Sequence, residues 1–181
     1  AAAGRPRFAD CFCERGAYSA KECERFLLAA KAAGLLIKIH TEQLTRTGGA
    51  ALAARLGAVS ADHLEQAAED DLRALAGAGV AGVILPGASL TLGGPPPPGR
   101  RLLEAGATVA IATDCNPGTS NTESMPLMVA LAVALAGLSP AQALVAATAG
   151  GAAALQLHDR GVLRVGARCD LAVLGSQHWL D

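Results

Sequence analysis

The sequence predicts an α/β fold in which parallel strands alternate with helices. Five short β-rich runs end near positions 13, 40, 63, 86 and 113, so successive ends lie 27, 23, 23 and 27 residues apart. Helical patterns fill the intervals, and such alternation is typical of right-handed crossovers between parallel strands. A last alternating segment, residues 161–174, has two glycine-centred turn signals and predicts a β-hairpin outside the α/β unit.

Each predicted element has a local signal. The strands are apolar runs bounded by turn residues, over 8–13, 35–40, 58–63, 82–86 and 108–113. Ser19 and Glu22 form a capping box before a helix that extends to about residue 33. Ser139 and Gln142 form another, with Pro140 at the first helical position. Further helices are expected from residue 48 and over 69–76, 100–105 and 123–136.

The composition limits the classes of protein to consider. Hydrophobic residues make up 51% of the 181 residues and aromatic residues only 3%, so the core must consist of Ala, Leu and Val. A net charge of −1 gives no electrostatic reason to expect binding to nucleic acid or a membrane surface. The longest apolar run, residues 127–138, is too short to span a bilayer. Five cysteines without a CxxC pair indicate buried reduced thiols in a cytoplasmic protein.

Three groups suited to metal binding or proton transfer stand at the ends of predicted strands. His40 ends the second strand, His63 the third, and Asp114 follows the fifth. A lone histidine is more often a core or surface residue, and Asp114 alone would suit a turn or a helix cap. Because the carboxyl ends of parallel strands lie at one edge, the three together predict a shared site.

The motifs around these residues resemble one enzyme family. IKIHTEQL (37–44), SADHLE (60–65) and ATDCNPGTS (112–120), in this order and spacing, are similar to the imidazolonepropionases of the amidohydrolase superfamily. FADCFCERGAYS, from Phe8, also resembles that family, and residues 161–174 resemble the strand pair by which many amidohydrolases return to a small β-domain. The resemblance implies a metal-centred (β/α)8 barrel.

The resemblance also implies roles for particular residues. His40 and Asp114 would bind the metal, and Asp114 would also contact the nucleophilic water. His63 would lie beside the substrate and stabilise the oxyanion, and Gln43 would be close to the substrate. Asn116, Gly118 and Thr119 match the loop that contacts substrate or product. The implied cofactor is one ion of zinc or iron, and the full-length enzyme is expected to be a homodimer.

The implied reaction is hydrolysis of the cyclic amide 4-imidazolone-5-propanoate to N-formimidoyl-L-glutamate, a step in histidine degradation. The substrate is thus a small molecule. Two alternatives remain from the residues alone. One is another metal-dependent cyclic amidohydrolase, and the other is a non-catalytic half-barrel that binds a partner or is a relic.

One feature of the family is absent from the sequence. Amidohydrolases of this type carry a His-x-His pair on their first barrel strand, and this chain has no such pair. Its first strand matches barrel strand four of the family. We therefore expect a fragment: residues 1–158 would form barrel strands four to eight, and residues 159–181 strands of the small composite β-domain. Such a chain alone is expected to be inactive.

Overall fold

The computed structural model describes Gly4 and residues 6–173, 175 and 176, and in them five parallel strands form one sheet. The spatial order of the strands is their order in the sequence, β1 to β5. The strands are β1 (Phe8–Cys13), β2 (Leu36–Thr41), β3 (Ser60–His63), β4 (Ala81–Ile84) and β5 (Val109–Ile111). All four pairings are parallel, so the predicted α/β class is confirmed.

Helices connect the strands and continue the chain after β5. They are α1 (Ala20–Ala32), α2 (Gly49–Leu56), α3 (Glu69–Gly77), α4 (Pro86–Leu92), α5 (Gly99–Glu104), α6 (Met125–Leu135), α7 (Pro140–Val145), a π-helical turn (Ala146–Gly150) and α8 (Gly151–Ala154). Both predicted capping boxes are present, with Ser19 bonded to Glu22 and Ser139 to Gln142. No helix in the described part of the chain is long and apolar enough to cross a membrane.

Helix α4 was not predicted from the sequence. The predicted fourth strand was to continue to Pro86, but β4 ends at Ile84 and Pro86 is the first residue of α4. Proline suits that position because it has no N–H to donate to a ladder and its φ is already helical. The helix then ends at Gly93, which adopts the left-handed conformation with φ of 63°.

The core is built from small aliphatic side chains, as the composition predicts. Buried leucine, isoleucine, valine and alanine side chains fill the space between the sheet and helices, with Leu27, Ile39 and Leu72 completely enclosed. A second, smaller cluster includes Val83, Leu85 and Ala110. All five cysteines are free, but Cys115 and Cys169 are exposed, so the expectation of buried thiols is wrong for these two.

The helical segment after α7 packs closely against β5. A Cβ added at Gly150 would lie 2.0 Å from the carbonyl oxygen of Val109, so only glycine allows the two backbones to approach this far. Helix α8 contacts β4 and β5. Its last residue, Ala154, accepts a hydrogen bond at its carbonyl oxygen from the ammonium group of Lys38 on β2, at 3.4 Å.

The hairpin predicted over residues 161–174 is not formed in the described part of that range, residues 161–173. Residues 161–173 contain no strand, and Leu174 and residues 177–181 lie outside the described residues. Leu163, Val165 and Val173 are 87%, 105% and 94% exposed, so the apolar half of the alternating pattern packs against nothing described. A two-stranded hairpin without a hydrophobic face to pack on is at best marginally stable, which accounts for the difference.

Two buried glutamates fix the loops at the carboxyl ends of β1 and β2. Glu42 accepts hydrogen bonds from the backbone N–H groups of Thr47, Gly48, Gly49 and Ala50 and from the Thr41 hydroxyl, all at 2.6–3.1 Å. Its carboxylate thereby caps the N-terminus of α2, where the helix dipole favours negative charge. Glu14 accepts from the backbone N–H groups of Leu44 and Thr45, which ties the β1 loop to the β2 loop.

We expect Glu42→Ala to lower the free energy of unfolding by about 3 kcal/mol, because it leaves several N–H groups without their partner. Denaturation in urea measures this change. Glu24→Ala is the matched control, since it removes a glutamate whose partner, Arg55, lies on the surface, and it should leave stability nearly unchanged. Equal stability of the two variants would contradict the capping role.

Candidate active site

The sheet register brings the predicted histidines together at one edge. His40 pairs with Asp62, and Thr41 pairs with His63, so the ends of β2 and β3 lie side by side. The imidazole rings of His40 and His63 are 5.4 Å apart between centroids and tilted by 59°. One ligand atom from each of His40, His63 and Asp114 lies within 4.8 Å of the other two. The expectation that these three residues converge is confirmed.

The backbone is strained where these side chains leave the strands. His63 has a φ of 81°, Leu64 of 73° and Asp114 of 51°, a conformation that residues other than glycine rarely adopt. Such conformations cost about 1–3 kcal/mol each and concentrate at functional sites. The left-handed turn at the end of β3 keeps both His63 and Leu64 buried, although they are neighbours in the chain.

Two aspartates surround the Nδ1 atom of His40. Asp10 on β1 lies 2.9 Å from it and Asp62 on β3 lies 3.8 Å from it. Burial alone would lower the pKa of His40, but the hydrogen bond to Asp10 and the charges of Asp62 and Asp114 outweigh it, so the pKa is raised. Because Asp10 occupies Nδ1, the Nε2 atom of His40 remains for a metal ion, as in carboxylate–histidine–metal arrangements.

Asp62 is the most enclosed acid of this group. Burial raises its pKa, although Lys38, His40 and a hydrogen bond from the Ser60 hydroxyl act in the opposite direction. Asp10, His40 and Asp62 also come within metal-binding reach of one another. The ammonium group of Lys38, 4.0 Å from Asp62, already supplies a positive charge there, so this group is a poorer cation site than His40, His63 and Asp114.

The loop after β5 is organised around Asn116. Its amide nitrogen donates to the carbonyl oxygen of Asp114 at 2.6 Å, and its amide oxygen accepts from the backbone N–H groups of Gly118 and Thr119. The hydroxyl of Thr119 donates to the Asp114 carboxylate at 3.2 Å. In this structure Asn116 and Thr119 therefore hold Asp114 in place, a contact that the resemblance did not include.

Gln43 lies on a neighbouring cleft. It is half-buried and, with Glu65, Gln66 and Ser89, lines a cleft of about 220 Å³. The cleft reaches the histidine cluster through Glu65, whose Oε2 atom is 3.8 Å from the Nδ1 atom of His63. Gln43 is thus near the site without belonging to the cluster of three.

Sequence reasoning missed Asp10, Asp62 and Glu65. Asp10 lies inside a strand, and the alternation of side chains there indicates only that Asp10 shares a face with Phe8 and Phe12. Asp62 and Glu65 flank His63 in the motif SADHLE, but their partners Lys38 and Ser89 are 24 residues away along the chain. The one available signal was the alternation of side chains along the paired strands. It places Asp10, His40 and Asp62 on the same face of the sheet.

Comparison with known proteins places the chain in one family. A model of the amidohydrolase family matches residues 4–177, and the chain belongs to that family. Within it, the chain is 48% identical to the imidazolonepropionase of Deinococcus deserti and 51% identical to that of Salinispora arenicola. These matches cover 95% and 96% of this chain but only 43% and 45% of those relatives. The chain is thus similar to imidazolonepropionases and spans under half of their length.

Solved structures share the fold. The crystal structure of an adenosine deaminase from Xanthomonas campestris with bound zinc superimposes with a TM-score of 0.72 at 28% identity, over 86% of this chain and 40% of that one. A triazine hydrolase variant superimposes with a TM-score of 0.67 at 24% identity, over 87% and 40% of the two chains. The five-stranded sheet therefore corresponds to part of a larger amidohydrolase fold.

The donor set at the strand ends fits a metal ion. Two imidazole nitrogens and a carboxylate oxygen are ligands that zinc and iron accept. A tetrahedral zinc site spaces such atoms about 3.4 Å apart. The ligand atoms of His40 and Asp114 lie within 4.8 Å of each other, so both can reach one ion, and a nitrogen of His63 lies within the same distance of both.

We expect Asp10→Asn to lower the pKa of His40, since it replaces a charged hydrogen-bond acceptor, which favours the imidazolium, by a neutral amide. NMR titration of the metal-free chain measures this change, with the exposed Asp70→Asn as control. A raised pKa means that the pair stabilises the fold below about pH 6.5 and that this contribution disappears as the pH rises through the raised value. The loss of stability should therefore be larger in mildly acidic than in alkaline buffer. An unchanged His40 pKa would contradict the assignment.

Proposed function

We propose that this chain provides part of the active site of an imidazolonepropionase. The reaction is the metal-dependent hydrolysis of 4-imidazolone-5-propanoate to N-formimidoyl-L-glutamate in histidine degradation. The observation that carries the proposal is the convergence of His40, His63 and Asp114 at the carboxyl ends of the strands. The identity of about 50% to imidazolonepropionases favours this substrate over other cyclic amides.

His40 and Asp114 are the proposed ligands of one zinc or iron ion. When bound, the metal supplies Lewis acidity, which makes a water molecule acidic enough to act as a nucleophile near neutral pH. Asp10 contributes by holding the Nδ1 atom of His40 at 2.9 Å, which orients the imidazole ring. Thr119 contributes in the same way to Asp114 through its hydroxyl.

Asp114 is the proposed proton carrier. As the water oxygen bonds to the ring carbonyl carbon, the Asp114 carboxylate takes a proton from the water. When the carbon–nitrogen bond of the ring then breaks, Asp114 passes this proton to the leaving nitrogen. The electron pair of the broken bond stays on the nitrogen, which receives the proton. Because Asp114 gives up the proton that it took from the water, the ring opens without a net change in protons on the enzyme.

His63 is the proposed stabiliser of the oxyanion. Its imidazole is almost completely buried and lies against His40, so a hydrogen bond to a developing negative charge is little weakened by water. Gln43, Asn116, Gly118 and Thr119 are the proposed contacts to substrate or product. Gln43 would act from its cleft beside Glu65, and the other three from the loop that carries Asp114.

The remaining features of the proposal concern the whole enzyme. We propose that β1 to β5 are barrel strands four to eight, with residues 1–158 in the barrel and residues 159–181 in a small β-domain. Ligands of the His-x-His type would then come from a segment like the N-terminal half of the relatives. We propose a homodimer in the cytoplasm for the full-length enzyme.

In an enzyme assembled from this chain and the N-terminal half of the Salinispora arenicola relative, we expect Asp114→Asn to lower kcat at least 1000-fold. An amide cannot accept the proton of water and is a poor ligand for a hard cation. Steady-state kinetics with imidazolone propanoate and metal analysis measure both effects, with the exposed Asp159→Asn as control. A near-normal kcat would refute the role of Asp114, and an assembled, metal-loaded enzyme without turnover would refute the proposed function.

This chain by itself is expected neither to hold metal tightly nor to hydrolyse imidazolone propanoate. A catalytic site of this kind has about three protein ligands and an open position for water, whereas the chain offers His40 and Asp114, with His63 reserved for the substrate. Metal content after dialysis and production of formimidoyl-glutamate test this expectation. Substantial turnover by the chain alone would show that its own residues complete the site.

A further inference from the structure

His63 and Glu65 form a buried pair whose facing atoms lack partners. Their side chains are 3% and 4% exposed, and the Nδ1 atom of His63 lies 3.8 Å from the Oε2 atom of Glu65. Neither atom has a hydrogen-bond partner in the described part of the chain. Buried polar atoms are nearly always paired, so this gap requires an explanation.

Glu65 is held from its other oxygen. The hydroxyl of Ser89 on α4 donates to Oε1 of Glu65 at 2.6 Å, and Ser89 is itself buried. This contact joins the end of β3 to the helix that follows β4, across 24 residues of sequence. Since Oε1 is fixed, Oε2 is the atom that Glu65 can offer to His63.

The chemistry of the two groups determines where the proton of His63 belongs. An ionised carboxylate only accepts hydrogen bonds, and a neutral imidazole has one N–H and one bare nitrogen. A bare Nδ1 facing Oε2 would place two lone pairs against each other in a buried space. A proton on Nδ1 turns the same contact into a hydrogen bond, after an approach of about 1 Å.

We propose that Glu65 is a positioning residue for His63. Anchored by Ser89, its carboxylate accepts the Nδ1–H of His63, which fixes the orientation of the ring and presents Nε2 to the cluster with His40 and Asp114. The catalytic meaning of this arrangement rests on the proposed function: Nε2 is the atom that meets the substrate, and it donates to an oxyanion only when it carries a second proton, in the imidazolium form that a carboxylate at Nδ1–H favours. The hydrogen bond itself does not depend on that function.

The strained turn between the two residues fits this role. His63 and Leu64 both have left-handed backbone conformations, and Leu64 is completely buried in the core. The turn brings His63 and Glu65, two residues apart, to the same buried space while Leu64 packs elsewhere. A strained turn of this kind persists only where surrounding contacts hold it, and the Ser89–Glu65 bond is one of them.

The test reads the tautomer of His63 by nitrogen-15 NMR of the metal-free chain at about pH 8, where histidine is ordinarily neutral. The resonances of His63 are those that disappear in His63→Gln. In the wild-type chain we expect the proton on Nδ1. In Glu65→Gln, Oε1 continues to accept from Ser89, so the amide NH₂ faces the imidazole and the proton should move to Nε2.

Two further variants sharpen the result. Glu69→Gln changes an exposed glutamate that pairs with Arg101, and it should leave the His63 tautomer unchanged. Ser89→Ala combined with Glu65→Gln frees the introduced amide to rotate, so both tautomers of His63 should be populated. If Glu65→Gln does not fold, the wild-type spectrum still decides the matter.

A wild-type His63 that carries its proton only on Nε2 would overturn the proposal, as would an unchanged tautomer in a folded Glu65→Gln chain. The readout needs neither metal nor turnover. If the assembled, metal-loaded enzyme fails to hydrolyse imidazolone propanoate while His63 of the metal-free chain carries its proton on Nδ1, the proposed function is refuted and the pairing of Glu65 with His63 stands.

Discussion

The parallel register between β2 and β3 is the constraint on which the site depends. His40 pairs with Asp62 and Thr41 with His63, and the adjoining register of β1 places Phe12 beside His40. Side chains alternate between the two faces of a strand, so a slip of one residue would turn His40 toward the helices. The imidazole would then lose Asp10 and His63 together. The contacts of His40 with Asp10, Asp62 and His63 therefore all depend on this pairing.

Buried carboxylates form the second layer of organisation. Glu14 and Glu42 accept backbone N–H groups of the loops after β1 and β2, and Glu65 accepts the hydroxyl of Ser89 after β4. Burial alone raises the pKa of Glu14, but hydrogen bonds from Thr45, Leu44 and Arg15 outweigh it, and the pKa is lowered. Glu14 thus stays charged in a buried place because donors are aimed at it, and the hydrogen bonds of all three acids stiffen the loops around the site.

The strand ends could be predicted because their signals are local. β1 was predicted at its observed bounds, and the other strands within about two residues, since apolar runs and turn residues mark them directly. The capping box of Ser19 and the N-cap of Ser139 are hydrogen bonds between residues three apart, so the sequence contains both partners. The positions of His40, His63 and Asp114 at the strand ends follow from the same local reasoning.

The hairpin predicted near the end of the chain is not confirmed, because its pattern needs a neighbouring element to pack on. Residues 161–173 alternate as a hairpin should, yet an alternating segment becomes a strand only when one face is covered, and the side chains of Leu163 and Val165 are almost fully exposed. The opposite happens in α4: no pattern in the sequence predicted this helix, yet it forms and packs on α6. In both cases the neighbouring element, and not the segment itself, decides the conformation.

The sequence by itself determined the α/β class, the order of the five strands, and the three residues that meet at the strand ends. Periodicity, capping and turn chemistry act over a few residues, so they can be read along the chain. Only the tertiary structure decided that Asp10 holds His40, that Thr119 holds Asp114, and that Glu65 faces His63 from an anchor on Ser89. These contacts depend on distances of a few ångströms between side chains from different strands and loops. Strand register and loop conformation determine those distances.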